Sequence, residues 1–275
     1  MQALFRVGWA FHRVTRTSVS ARRYGDVMLT VGVDLAAEPT GTAVACLDWS
    51  ATQASLSLLV IPADDDAVVE AIVRADKAGI DCPLGWPDEF VSFLLAHQAG
   101  TVVAPEDIAG GDWRRRLVYR QTDEAVRAAT GLVPLSVATN LLGLTAIRCA
   151  SLLARLATNG QAVDRRGEGT VVEVYPAASL KQWGLGHRGY KGRTNASKLN
   201  QIVTALLAAA PWLELNDHDA TCRRSDHALD AVIAALTARA ASMGLTARAD
   251  LEQSEAARNE GWIALPNSPL HNLMP

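Results

Sequence analysis

Three β-rich runs lie within residues 28–62, and the links between them are too short for anything but hairpins; no other feature constrains the chain as much. The runs are MLTVGVDLA (28–36), TGTAVACLDW (40–49) and ASLSLLVIP (54–62). Parallel neighbours would need a crossover of roughly a dozen residues or more, so the three runs predict an antiparallel meander. Residues 64–77 then place Val68, Val69, Ile72 and Val73 at helical spacing behind Asp64, Asp65 and Asp66, which suit a helix start. AGIDCP (78–83) reads as a short strand that reaches Asp81 and is halted by Pro83. A right-handed crossover returns this fourth strand parallel to the first and beside it.

Residues 88–158 contain helical stretches at 88–98, 122–130 and 145–157 and read as a helical insertion. TVVEVYP (170–176) is a fifth strand, followed by helices near 177–183, 195–209 and 225–243. A tail helix near 251–258 leads into GWIALP (261–266), a last strand or a cover segment, and no internal repeat is present. The expectation is an α/β domain over residues 28–266: a mixed five-stranded sheet in the order 3-2-1-4-5, the arrangement of the ribonuclease H-like fold, with flanking helices. Residues 267–275 are expected to be a tail.

The 275 residues are 49% hydrophobic and 20% charged, with 20 Gly and 11 Pro, which excludes collagen-like, disordered and low-complexity chains. The longest apolar run, residues 202–213, is broken by Thr204 and Pro211 and falls short of the ~18 to 20 residues a membrane helix needs. Cys46, Cys82, Cys149 and Cys222 are at least 36 residues apart, without zinc or dithiol spacing, and read as reduced core residues of a cytoplasmic protein. Residues 1–27 lack a signal-peptide pattern, and Met28 suits a natural start, so they are expected to be an extension. They hold five Arg against Asp26, so the remaining residues carry −7 within the total of −3. Non-specific nucleic-acid affinity comes mostly from phosphate neutralisation by Lys and Arg, so any nucleic-acid role of that acidic body rests on local patches.

Carboxylates carry the chemistry. Asp34 closes the first strand and Asp81 the fourth, at the edge where ligands of open α/β sheets bind. In SDHALDAVIAALTARA, Asp226 and Asp230 fall at i and i+4 on one helix face. Together these segments could form one acidic pocket for Mg²⁺ or Mn²⁺, since clustered carboxylates need a hard cation. Two such ions would activate water for phosphodiester cleavage. Each residue has a plainer alternative: Asp34 and Asp81 as turn residues, and Asp226 as a helix-start residue meeting the macrodipole. Asp230 is harder to dismiss, because it lies inside a run of Ala, Leu, Val and Ile where an unpaired charge is costly. Glu173, in the fifth strand, is either a further ligand or an outward-facing residue. Basic candidates for phosphate contact are Arg114, Arg115, Arg116 and Arg120, then Arg188, Lys191, Arg193 and Lys198, then Arg223 and Arg224; the alternative is solvated surface. His227 flanks the acidic pair.

The ordered series VGVDLA, GIDCPLGWP, YRQTDEAVRAATGLVPLSV, VVEVYPAASLKQWGL, YKGR, SDHALDAVIAALTARA and EGWIALP resembles the family called domain of unknown function 429, over about residues 29–266. Its members are described as predicted nucleases with a ribonuclease H-like fold. The resemblance implies that Asp34, Asp81 and Asp230 match the acidic motif positions, with Glu173 and Asp226 as further candidates. It also implies that Arg120 and Asp123 of the R-x-T-D motif, with Tyr175 and Lys191, face substrate or support the site. The pair Asp226 and Asp230 in SDHALDAVIAALTARA also resembles the acidic pair of Holliday-junction resolvases, although there the spacing is i, i+3 rather than i, i+4. The resulting expectation is a metal-dependent nuclease or phosphodiesterase acting on nucleic acid or a small phosphodiester. The alternatives are a non-catalytic binding module on the same scaffold and an ATP-binding enzyme of the actin-like and sugar-kinase type. Against the last, the first hairpin offers one glycine, Gly41, for a phosphate-cradling turn.

Overall fold

A computed structural model describes residues 28–103, 111–138 and 142–274; the N-terminal extension expected over residues 1–27 lies outside the described residues. The meander forms as expected. Strands β1 (Met28–Asp34) and β2 (Ala43–Trp49) pair antiparallel from Met28↔Trp49 to Asp34↔Ala43, and β3 (Ala54–Val60) continues on β2 past an irregularity between Cys46 and Leu47. Helix α1 (Asp65–Arg74) follows, with the Asp64 side chain accepting from the Ala67 amide at its start. It stops three residues before Lys77, which belongs instead to β4 (Lys77–Asp81). The Lys77 ammonium donates to the carbonyls of Gly167 and Gly169, and this draws the residue into the sheet. Strand β4 is parallel to β1, and their register sets Asp34 opposite Asp81.

Next come α2 (Asp88–Ala99), α3 (Asp112–Val118), α4 (Gln121–Thr130) and α5 (Gly143–Thr158). Helix α3 was not expected; its DWRRRLV sequence is too short and too basic to show an apolar period. In helix α5, Cys149, Leu152, Leu153 and Leu156 pack with α1 on one face of the sheet. Helix α2 has no buried residue, and Val91, Leu94 and Leu95 are exposed on it.

Strand β5 (Val171–Glu173) pairs parallel with β4 and leads to α6 (Pro176–Gln182) and α7 (Ala196–Ala209). Then β6 (Leu213–Glu214) joins the free edge of β3. The five-stranded expectation is therefore corrected: among the described residues the mixed sheet has six strands in the order β5-β4-β1-β2-β3-β6. Two residues are too few for strand periodicity to reveal β6 in a sequence.

After the short α8 (Asp219–Cys222), helix α9 (Asp226–Ser242) covers the second face of the sheet. Residues Ala228 to Thr237 are all buried, which explains the absence of a polar face. Close approach is possible because the paired residues Gly32 of β1 and Gly79 of β4 lack side chains. A Cβ on Gly32 would stand 1.9 Å from the Ala231 carbonyl oxygen, and one on Gly79 would stand 2.5 Å from that of Ala234. Helix α10 (Ser254–Glu260) precedes GWIALP, which is a cover segment held beside β5 by the single bridge Glu173↔Ile263. Leu270 and Leu273 are buried in the α9 core, so the expected tail is part of the domain. Among the described residues, no helix is long and apolar enough to cross a membrane, and all four cysteines are free and buried.

Candidate metal centre

Asp34 ends β1, Asp81 ends the neighbouring parallel strand β4, and Asp230 lies one turn into α9. One carboxylate oxygen from each falls within 4.8 Å of the others. Sheet register brings the first two together, and the glycine contacts that seat α9 bring the third. Asp34 is 7% and Asp230 1% exposed, so burial rather than solvent dominates their environment.

Two basic side chains answer three carboxylates. Lys191 places Nζ 2.8 Å from Asp230 Oδ2, and Tyr190 donates its hydroxyl to Asp230 Oδ1 at 2.6 Å. His227, one helical turn before Asp230, donates Nδ1–H to Asp34 Oδ2 at 2.6 Å; an ionised carboxylate can only accept, which assigns the proton. Burial raises the Asp81 carboxyl well above the usual range; Lys191 opposes the shift, and Asp34 and Asp230 add to it. Burial likewise lifts Asp230 to about 6 against the pull of Lys191. For Lys191, burial disfavours the charge, but Asp230, Asp81 and Asp34 outweigh it and hold the ammonium above the usual lysine range. The bond to Asp34 raises His227.

The remaining expected site residues separate into three groups. Asp226 stays outside the cluster: its Oδ2 accepts the Gly192 amide at 3.0 Å, which ties the loop bearing Tyr190 and Lys191 to the first turn of α9. The ligand reading of Asp226 is thus replaced by an anchoring one. Tyr175, at the start of α6, is partly buried, and burial followed by the Asp81 charge raises its hydroxyl. Arg188 also acts on Tyr175, is exposed, and has no hydrogen-bond or ion-pair partner among the described residues.

Glu173, Arg120 and Asp123 form a closed ionic cluster away from the three aspartates. Arg120 makes a two-pronged contact to Glu173, at 2.6 and 2.8 Å, and another to Asp123, at 2.9 and 3.2 Å. Glu173 also accepts the Leu84 amide at 2.9 Å, three residues beyond Asp81. Arg120 is 1% exposed, so it supports the turn after Asp81 and does not face a substrate. Glu173 lies outside the aspartate cluster, and both its oxygens are held by Arg120. Of the basic candidates, Arg115 and Arg116 pair with Glu124 and Glu89, and Arg223 pairs with Asp219. Lys198 and Arg224 are exposed and, among the described residues, unpaired.

Tyr190 escaped the sequence reading, and His227 appeared there only as a flank. The i, i+3 spacing of His227 and Asp230 on one helix is a signal that could have found His227. For Tyr190 the only hint is its place beside Lys191 in the glycine-rich stretch GHRGYKGR. A cavity of about 850 Å³ lies elsewhere, along Lys77, Arg166 and Trp262, where β4 begins.

No curated protein and no solved structure matches the chain. The family described as protein of unknown function (DUF429) matches residues 32–252, which include all three aspartates, Tyr190, Lys191 and His227. Since that match spans well over half of the 275 residues, the protein belongs to the DUF429 family.

Proposed function

We propose that the protein is a divalent-metal-dependent hydrolase of phosphodiester bonds on a ribonuclease H-like core, with Asp34, Asp81 and Asp230 as metal ligands. The observation that carries this reading is the meeting of three carboxylate oxygens, from β1, β4 and α9, within 4.8 Å in a largely buried cluster. The donor set fits the ion: only hard oxygen ligands converge there, as Mg²⁺ or Mn²⁺ prefers, and carboxylates at this spacing repel until a cation joins them. The neighbour relations β3-β2-β1-β4-β5 within the sheet support the fold assignment.

When bound, such an ion lowers the pKa of water and stabilises charge developing on a phosphate. The chain's own residues supply the rest. Asp34 orients the His227 ring through Nδ1, which leaves Nε2 of the neutral imidazole able to accept a proton, and the side chain is 44% exposed toward solvent. Tyr190 fixes the Asp230 carboxylate from the core side. Lys191 and Arg188 provide positive charge for a phosphate at the exposed side. The acidic body favours a small phosphodiester or a short oligonucleotide over a long duplex.

A second reading draws on the pairings of Lys191 with Asp230 and His227 with Asp34: a non-catalytic module in which the carboxylates serve only these partners. Calorimetric titration of Mn²⁺ into metal-free wild type and the Asp34→Asn, Asp230→Asn double variant, with circular dichroism to confirm folding, decides between them. Binding in the wild type alone is expected and justifies a cleavage screen over DNA, RNA and small phosphodiesters. Absence of binding in both would sink the metal reading.

A further inference from the structure

Neither oxygen of Asp230 is free, and its two partners differ in kind. Tyr190 is buried and holds Oδ1 from within the core, whereas Lys191 approaches Oδ2 with a side chain that is 58% exposed. Asp230 is the only side-chain partner of Lys191 among the described residues. The backbone is shaped for this delivery: Gly189 and Gly192 bracket the two residues at φ 68° and 89°, the left-handed region that glycine tolerates best. Gly192 is in turn tied to Asp226 on α9, so the loop presents Lys191 from a fixed point.

Counting charges gives the arrangement a meaning. As metal ligands the three aspartates would serve as three anionic groups, and the Lys191 ammonium, 2.8 Å from Asp230 Oδ2, neutralises one of them. What remains matches a single divalent ion. A second divalent ion would have to share Asp230 with an ammonium already 2.8 Å from its oxygen, and like charges that close repel strongly in a poorly solvated site.

We propose that Lys191 fills the place of a second cation, so that the aspartate cluster takes one divalent ion per chain. Its ammonium is then the site's own cationic contact for a substrate phosphate. This rests on the reading of Asp34, Asp81 and Asp230 as metal ligands and specifies the stoichiometry of that centre.

The test is Mn²⁺ stoichiometry at pH 8, by calorimetry and by the electron paramagnetic resonance signal of free Mn²⁺, on wild type, Lys191→Met and Lys191→Arg. Circular dichroism checks that each is folded, which the exposure of the Lys191 stem favours. Expected are one ion for the wild type, a second ion for Lys191→Met, and a return to one for Lys191→Arg. Two equivalent ions in the wild type would overturn the proposal, and so would Lys191→Met remaining at one ion. No ion in any of the three proteins would overturn both this proposal and the metal reading beneath it, whereas the first two results leave the metal reading intact.

Discussion

Asp230 carries its charge into the most deeply buried of the described helices, and the cost of that burial shows in its titration. Its folded pKa of about 6 lies roughly two units above that of an unfolded aspartate, and Asp81 is shifted the same way. A carboxyl raised in this manner binds more protons folded than unfolded between roughly pH 4 and 6, so stability falls as the pH rises through that window. The shift at Asp230 alone corresponds to about 2 to 3 kcal/mol. His227 acts in the same sense, because its pKa is raised by Asp34 and its stabilisation is lost as the pH climbs through the folded value. Metal-free protein is therefore expected to melt at a higher temperature at pH 5.5 than at pH 8, as read by circular dichroism. A melting temperature that rises toward pH 8 would contradict this account. The importance of Asp230 could be read from the sequence for the same physical reason, since a lone acid among Ala, Leu, Val and Ile needs a partner. Its partners could not, because Tyr190 and Lys191 reach it from a loop 40 and 39 residues away whose course no local pattern encodes.

At the scale of elements, the cluster of Arg120, Asp123 and Glu173 joins α4 to β5 and, through the Leu84 amide, to the turn that follows Asp81. All three side chains are buried, so removing one partner leaves charge without compensation. Arg120→Met is expected to cost about 3 to 5 kcal/mol in urea denaturation, while adding Glu173→Gln to it recovers part of the loss. A double variant no more stable than the single one would show that packing, not charge, is what Arg120 contributes. Arg120 and Asp123 stand three residues apart at the start of α4, so their pairing is local. Strand alternation left Glu173 open between two roles, and the deciding contact spans 53 residues. Helix α3 and strand β6 stayed hidden for a different reason: at seven and two residues they are too short to display a period.

Across the whole molecule, what could be read was whatever short-range geometry dictates. Links too short for crossovers forced the meander, and the crossover rule put β4 beside β1, which aligned Asp34 with Asp81 at one edge. The place of Asp230 followed only once α9 was seen to lie against Gly32 and Gly79, since neither glycine announces in the sequence which helix will cross it. That central placement of α9 gives the site two halves with different lifetimes. Amide protons of α9 near Asp230, enclosed on every side, are expected to exchange with deuterium only through global opening of the domain. Those of residues 186–192, with few backbone hydrogen bonds and much exposed chain, are expected to exchange orders of magnitude faster. Equal protection of the two segments, followed by mass spectrometry, would refute this division. If it holds, ions and substrates enter and leave past the loop that carries Lys191, while the carboxylate that awaits them keeps its position for as long as the protein stays folded.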